Sequence, residues 1–144
     1  MPLASAFGPN SISINYSAES FEAAVSLAVE LLVQDGKALP GYTFEVLENL
    51  NQLGPYFVVA PGIAIAHAKP SASVIETGLA LAVFSQGVQS GSTNDPVTLL
   101  FALAAADANS HLELLSEFAA WISTPEIVNS LQNASAESVI RSLL

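Results

Sequence analysis

The sequence predicts an α/β fold in which a sheet is covered by helices on both faces, and three observations predict it. Gly78 to Phe84 and Val97 to Leu103 are apolar on both parities, as strands buried on two sides must be. Ala18 to Gln34 carries Phe21, Ala24, Val25, Ala28, Leu31 and Leu32 at the spacing of an amphipathic helix. The 144 residues suffice for one domain, 1–144, with a core of its own. Strands buried on both sides require helices above and below, so a three-layer architecture fits better than a sandwich.

In chain order, Met1 to Asn10 carries two prolines and a glycine without periodicity and reads as a loosely held arm. Ser11 to Asn15 alternates polar and apolar, the pattern of a short strand. Ser17 is the expected N-cap of the first helix, which Asp35-Gly36 ends. After Pro40-Gly41 a helix is expected from Thr43 to Leu53, with Phe44, Leu47, Leu50 and Leu53 on its buried stripe and Gly54-Pro55 closing it. Tyr56 to Ala60 and Ile63 to Ala68 read as strands around a Pro61-Gly62 turn. Gly87 to Pro96 is a turn-rich loop between the two doubly apolar strands. Ser110-His111-Leu112-Glu113 has the form of a capping box ahead of Leu114, Leu115, Phe118 and Trp121 at helical spacing. Thr124-Pro125-Glu126 opens another helix, and Ser135 is the expected cap of a last one from Ala136 to Leu143.

Thirteen acidic residues against three basic ones give a net charge of −10, which argues against nucleic acid and for a basic protein partner. With 51% hydrophobic and 11% charged residues, much of the surface is small and apolar, which suits docking faces. The absence of cysteine excludes a disulfide framework, a thiolate zinc site and a thiol nucleophile, and is compatible with a reducing cytosol. Met1 to Ser5 has no basic residue and does not read as a secretion signal. The apolar run from Val97 to Ala106 is far short of the roughly 18 residues a membrane helix requires, so a soluble protein without membrane insertion is expected.

Chemistry concentrates on the two histidines, His67 and His111. His67 closes the strand Pro61 to Pro70, with Ile63 and Ile65 on its own face and Ala64, Ala66 and Ala68 on the other. The alanines leave room for another protein's backbone to come close. A lone histidine at the end of an apolar strand is more often a hydrogen-bonded core residue than a reactive one. His111 opens a helix, beside unpaired N–H groups that favour an anion and oppose protonation of the ring. A neutral imidazole keeps the lone pair needed to attack a phosphoryl group. Zinc would need more ligands than two histidines supply, and no Gly-x-Ser-x-Gly elbow supports a hydrolase.

Several stretches, in order, resemble one family. They are Tyr42 with Val46-Leu47-Glu48-Asn49, then Gly54 to Pro70, Asn94-Asp95-Pro96-Val97, Leu103 to Asp107, and Ser110-His111-Leu112-Glu113. Together they are similar to the enzyme IIA proteins of the bacterial phosphoenolpyruvate-dependent sugar phosphotransferase system (PTS), mannitol/fructose type, nearest the ascorbate branch. The resemblance implies a mixed sheet flanked by helices. It also implies a cytoplasmic phosphocarrier in which His67 takes a phosphoryl group from HPr and passes it to a cysteine of enzyme IIB, serving a membrane enzyme IIC. His111 would stabilise the transferred group, the sugar would be ascorbate or a relative, and no metal or organic cofactor would be required. A regulatory interaction module of the same fold, uncoupled from transport, is the alternative. Against the family pattern, Ala66 stands where proline is common, Asn49 where mannitol-type members carry arginine, and Ser90-Gly91 where the ascorbate branch has Phe-Gly.

Overall fold

The computed structural model describes residues 2–107, 109 and 112–144. It is a five-stranded sheet in the order β1-β4-β5-β3-β2, built from β1 (Phe7–Asn15), β2 (Val58–Ala60), β3 (Ile63–Ala66), β4 (Gly78–Val88) and β5 (Val97–Ala104). β1 runs parallel to β4 and β3 parallel to β5, whereas β4/β5 and β2/β3 are antiparallel, so the sheet is mixed. α2 (Phe21–Gln34) and α3 (Gly41–Leu53) enclose one core with the sheet. The short α1 (Leu3–Ala6) and α4 (Leu112–Ile122), α5 (Pro125–Gln132) and α6 (Glu137–Arg141) enclose the other.

The double apolar parity of β4 and β5 feeds both cores. Leu79, Leu81 and Val83 of β4 and Leu99, Phe101 and Leu103 of β5 face α4 to α6. Ala80, Ala82, Ala102 and Ala104 face α2, where small side chains let the helix sit close to the sheet. Phe101 meets Phe118 edge-on at 4.8 Å, anchoring α4 on its side.

Four local expectations are corrected. Residues 3–10 are no loose arm: Leu3, Ala6 and Phe7 are buried, and the Leu3 N–H donates to Glu117 Oε2 at 3.1 Å. The Gly8-Pro9 irregularity is a shift of register between the Phe7–Leu79 and Ile12–Leu81 pairs. It is held by Asp35 Oδ1, which accepts from the Asn10 N–H at 2.8 Å, and by Arg141 Nη2, which donates to Gly8 O at 2.7 Å. The first helix is capped by Ser20, whose side chain accepts from the Ala23 N–H at 3.0 Å, rather than by Ser17. α3 buries Tyr42, Thr43, Val46 and Leu50, while Phe44 is 79% and Leu53 63% exposed. Its inward face is turned by Thr43, whose Oγ1 donates to Glu30 Oε1 of α2 at 3.0 Å, so the other edge of the apolar stripe rolls into solvent. α6 starts after Ala136 with no side-chain cap, so Ser135 does not cap it.

Candidate functional site

β3 ends at Ala66, and His67 follows it, half-buried at the margin of the sheet. Ala64, Ala66 and Ala68 point into the core under α2 and α3. Their small size therefore serves helix packing, and not the approach of a partner backbone as the alternation alone had implied.

His67 Nδ1 lies 2.9 Å from Ile65 O. A carbonyl only accepts, so Nδ1 carries the proton in this contact, and the lone pair of the neutral ring is left on Nε2. The chain thus fixes the tautomer through a backbone atom two residues away. Two aromatic rings fence the imidazole: Tyr56 edge-on at 5.7 Å and Phe57 at 5.5 Å. Tyr56 Oη also reaches His67 O at a long 3.4 Å. Burial pushes the Tyr56 phenol up, against a smaller opposing effect from its hydrogen bond with the Asn49 side chain.

Beside this group, Glu45, Glu48, Asn49, Gln52, Ala68 and Lys69 line an open cavity of about 350 Å³. Two acidic residues of α3 and one lysine are among its lining residues. Lys37 and Arg141 are held by Glu76 and Glu137, each at 2.7 Å, so Lys69 is the one basic side chain without an ion pair among the described residues.

The other predicted site residue, His111, lies outside the described residues, as does its expected cap Ser110. The described chain bounds the segment that holds them. β3 and β5 run parallel with Ala66 opposite Ala102, so β5 leaves the sheet at the same end as the strand leading to His67. α4 begins at Leu112.

Tyr42, Tyr56 and Phe57 surround or support His67 and were not marked as site residues in the sequence. For Tyr42 a signal existed: it shares a buried helix face with Val46 and Leu50, and a phenol on such a face needs a partner for its hydroxyl.

Residues 5–144 match the profile of the family described as phosphoenolpyruvate-dependent sugar phosphotransferase system, EIIA 2. The chain belongs to this EIIA family. Its fold is similar to the solution structure of a mannitol-specific cryptic phosphotransferase enzyme IIA from Escherichia coli, with a TM-score of 0.90, 30% identity, and coverage of 99% of this chain and 97% of that one. A curated EIIA relative, the ascorbate-specific PTS system EIIA component of Escherichia coli (strain K12), is 39% identical over 105 residues, covering 72% of this chain and 68% of its own. A fold likeness alone, with a TM-score of 0.80 at 23% identity over 95% of both chains, links it to an Escherichia coli mannitol enzyme IIA solved in complex with phosphorylated enzyme IIB. Membership makes the chain a phosphotransferase-system component, and its mixed sheet between two helical layers is that of the EIIA structures. Among the described residues, no helix is long and apolar enough to cross a membrane.

Proposed function

We propose that this chain is a cytoplasmic phosphocarrier whose phosphoacceptor atom is Nε2 of His67. The observation that carries the reading is the 2.9 Å contact between His67 Nδ1 and Ile65 O, which leaves the nucleophilic lone pair on Nε2 of a half-buried ring. In the first transfer, a P–N bond forms at Nε2 while the P–N bond to the HPr histidine breaks and its electron pair returns to that ring. In the second, the Nε2–P bond breaks as a P–S bond forms on a cysteine thiolate of enzyme IIB. The protein's share is positioning and charge stabilisation rather than covalent chemistry of its own. His111 is assigned to stabilising the phosphoryl group; its place in the sequence just ahead of α4 and the shared strand end of β3 and β5 support this.

Enzyme IIB enters as partner because the family is an EIIA family and because the mannitol enzyme IIA of similar fold was solved with phosphorylated enzyme IIB. HPr as donor, and a membrane enzyme IIC beyond IIB, follow from the same pathway logic. Ascorbate or a related sugar is the substrate supported by the relative at 39% identity, and mannitol is the rival supported by the relative at 30%.

The test is incubation with phosphoenolpyruvate, enzyme I and HPr, read by intact mass. An acid-labile gain of roughly 80 Da that is lost in His67→Ala is expected, and its survival in that variant refutes the assignment. Onward transfer to an ascorbate-type IIB, but not a mannitol-type one, supports the sugar assignment. Phosphorylation without transfer to any IIB favours a regulatory role instead.

A further inference from the structure

Tyr42 sits in the first turn of α3 with its ring wholly inside the core beneath α2. Its hydroxyl emerges where two parallel strands leave the sheet. Oη donates to Leu103 O at 2.8 Å, lies 3.2 Å from Ala68 O, and accepts from the Ala68 N–H at 3.0 Å. One proton cannot serve two carbonyls fully, and the shorter contact assigns it mainly to Leu103. Ala68 is the residue directly after His67, and Leu103 is the penultimate residue of β5, from which the chain runs on toward His111. The β3–β5 ladder has ended one residue before His67, at the Ala66–Ala102 pair.

We infer that Tyr42 is a positioning residue for phosphoryl transfer, its hydroxyl standing in for the next rung between β3 and β5 and so fixing the direction in which His67 leaves the sheet. The inference rests on His67 being the phosphoacceptor. A strand end free of ladder bonds frays, and the Nδ1 contact with Ile65 O holds only while the backbone at 67 and 68 keeps its course. Transfer between two imidazoles is sensitive to displacements of about 1 Å, so a support remote from the reacting atoms governs the rate. Packing alone does not call for this hydroxyl: phenylalanine fills the same volume, and its cost would fall on the backbone groups of Ala68 and Leu103 left without a partner.

The experiment uses the full chain in four forms: wild type, Tyr42→Phe, Tyr42→4-aminophenylalanine, which restores a donor at the ring's far end, and Val46→Ala, which weakens packing on the same buried helix face but removes none of these hydrogen bonds. Rapid-quench transfer from phospho-HPr is measured with the His67 ring ¹⁵N shifts and the exchange rate of the Ala68 amide. Tyr42→Phe is expected to slow transfer about tenfold or more at unchanged KM for HPr, with faster Ala68 exchange and a mixed His67 tautomer. The amino analogue, whose N–H groups can serve Leu103 O but whose nitrogen accepts only weakly from the Ala68 N–H, restores the rate and the tautomer more fully than the Ala68 exchange, and Val46→Ala leaves the tautomer and the rate alone. A wild-type rate in Tyr42→Phe, or equal slowing in Val46→Ala, overturns the inference. So does rapid Ala68 exchange in the wild-type protein, whatever the variants do. A wild type that takes no phosphate sinks the phosphocarrier reading itself, whereas a phosphorylated wild type matched by Tyr42→Phe sinks this role alone.

Discussion

Burial pushes the Tyr42 phenol from its ordinary 10.0 up to about 12, outweighing the hydrogen bond with Ala68. A raised pKa means that the folded state holds the proton more tightly than the unfolded chain does. The associated stability is therefore fully present below pH 10.0 and is lost as pH rises toward about 12. Unfolding free energies from urea titrations are expected to fall across that window by on the order of 2 kcal/mol, and Tyr42→Phe should flatten the decline; an equally steep fall in the variant would locate the alkaline transition elsewhere. Asp95 sets the opposite limit. Burial raises its carboxyl, but the Ser90 hydroxyl and the N–H groups of Gly91, Ser90 and Ser92 together outweigh that and hold it below its ordinary 3.8. Its contribution is present above 3.8 and lost as pH falls through the lower folded value. Asp95→Asn is expected to cost about 1 kcal/mol at neutral pH and progressively less as pH falls below 3.8, which paired urea titrations across an acid pH series would check. At this scale the sequence was legible where chemistry is local. His67 stood out because its setting of small residues between two prolines is written in consecutive positions. The Tyr42 clamp was not legible, because its partners lie 26 and 61 positions away.

Among the elements, α2 shows which signals travel through sequence and which do not. Its period is carried by seven buried side chains from Phe21 to Leu32 and needs no tertiary knowledge. Its start does need it: Ser17 and Ser20 are both competent caps, and the Ser20 hydroxyl, accepting from the Ala23 N–H on an extended backbone with φ −157° and ψ 166°, decides between them. Ser20→Ala is expected to destabilise the protein by about 1 kcal/mol, while Ser17→Ala changes it by no more than a few tenths. Chemical denaturation of the two variants decides the matter, and a larger loss at Ser17 would overturn the assignment. The N-terminal segment was misread for a related reason. A Gly-Pro irregularity looks like a loose arm unless its partners are known, and those are Asp35, 25 positions from Asn10, and Arg141, 133 positions from Gly8. The face of α3 was misjudged because the stripe through Phe44 and the face through Tyr42 are neighbours on one helix. Contacts distant in sequence select between them: Thr43 with Glu30 of α2, and Tyr42 with Ala68 and Leu103.

For the molecule as a whole, the dominant electrostatic fact is a net charge of −10. Ion pairing does little to offset it. Glu76 and Glu137 pair with Lys37 and Arg141, and both pairs involve exposed carboxylates of the kind that contribute at most about 1 kcal/mol. The folded state therefore holds like charges closer together than the expanded chain does, and mobile ions should relieve that repulsion. Raising NaCl from about 0.01 to 0.2 M shortens the Debye length from about 30 Å to below 10 Å, a distance comparable to the spacing of surface carboxylates. The thermal midpoint is expected to rise by on the order of 3 °C over this range, equivalent to about 1 kcal/mol for a domain of this size. Encounter with a basic protein partner, which the net charge favours, should respond in the opposite sense, because the attraction that steers it is screened by the same ions. Calorimetry and stopped-flow association in one salt series separate the two effects. If both quantities rose with salt, net charge could not be the common cause, and the stabilisation would have to be sought in specific anion binding instead.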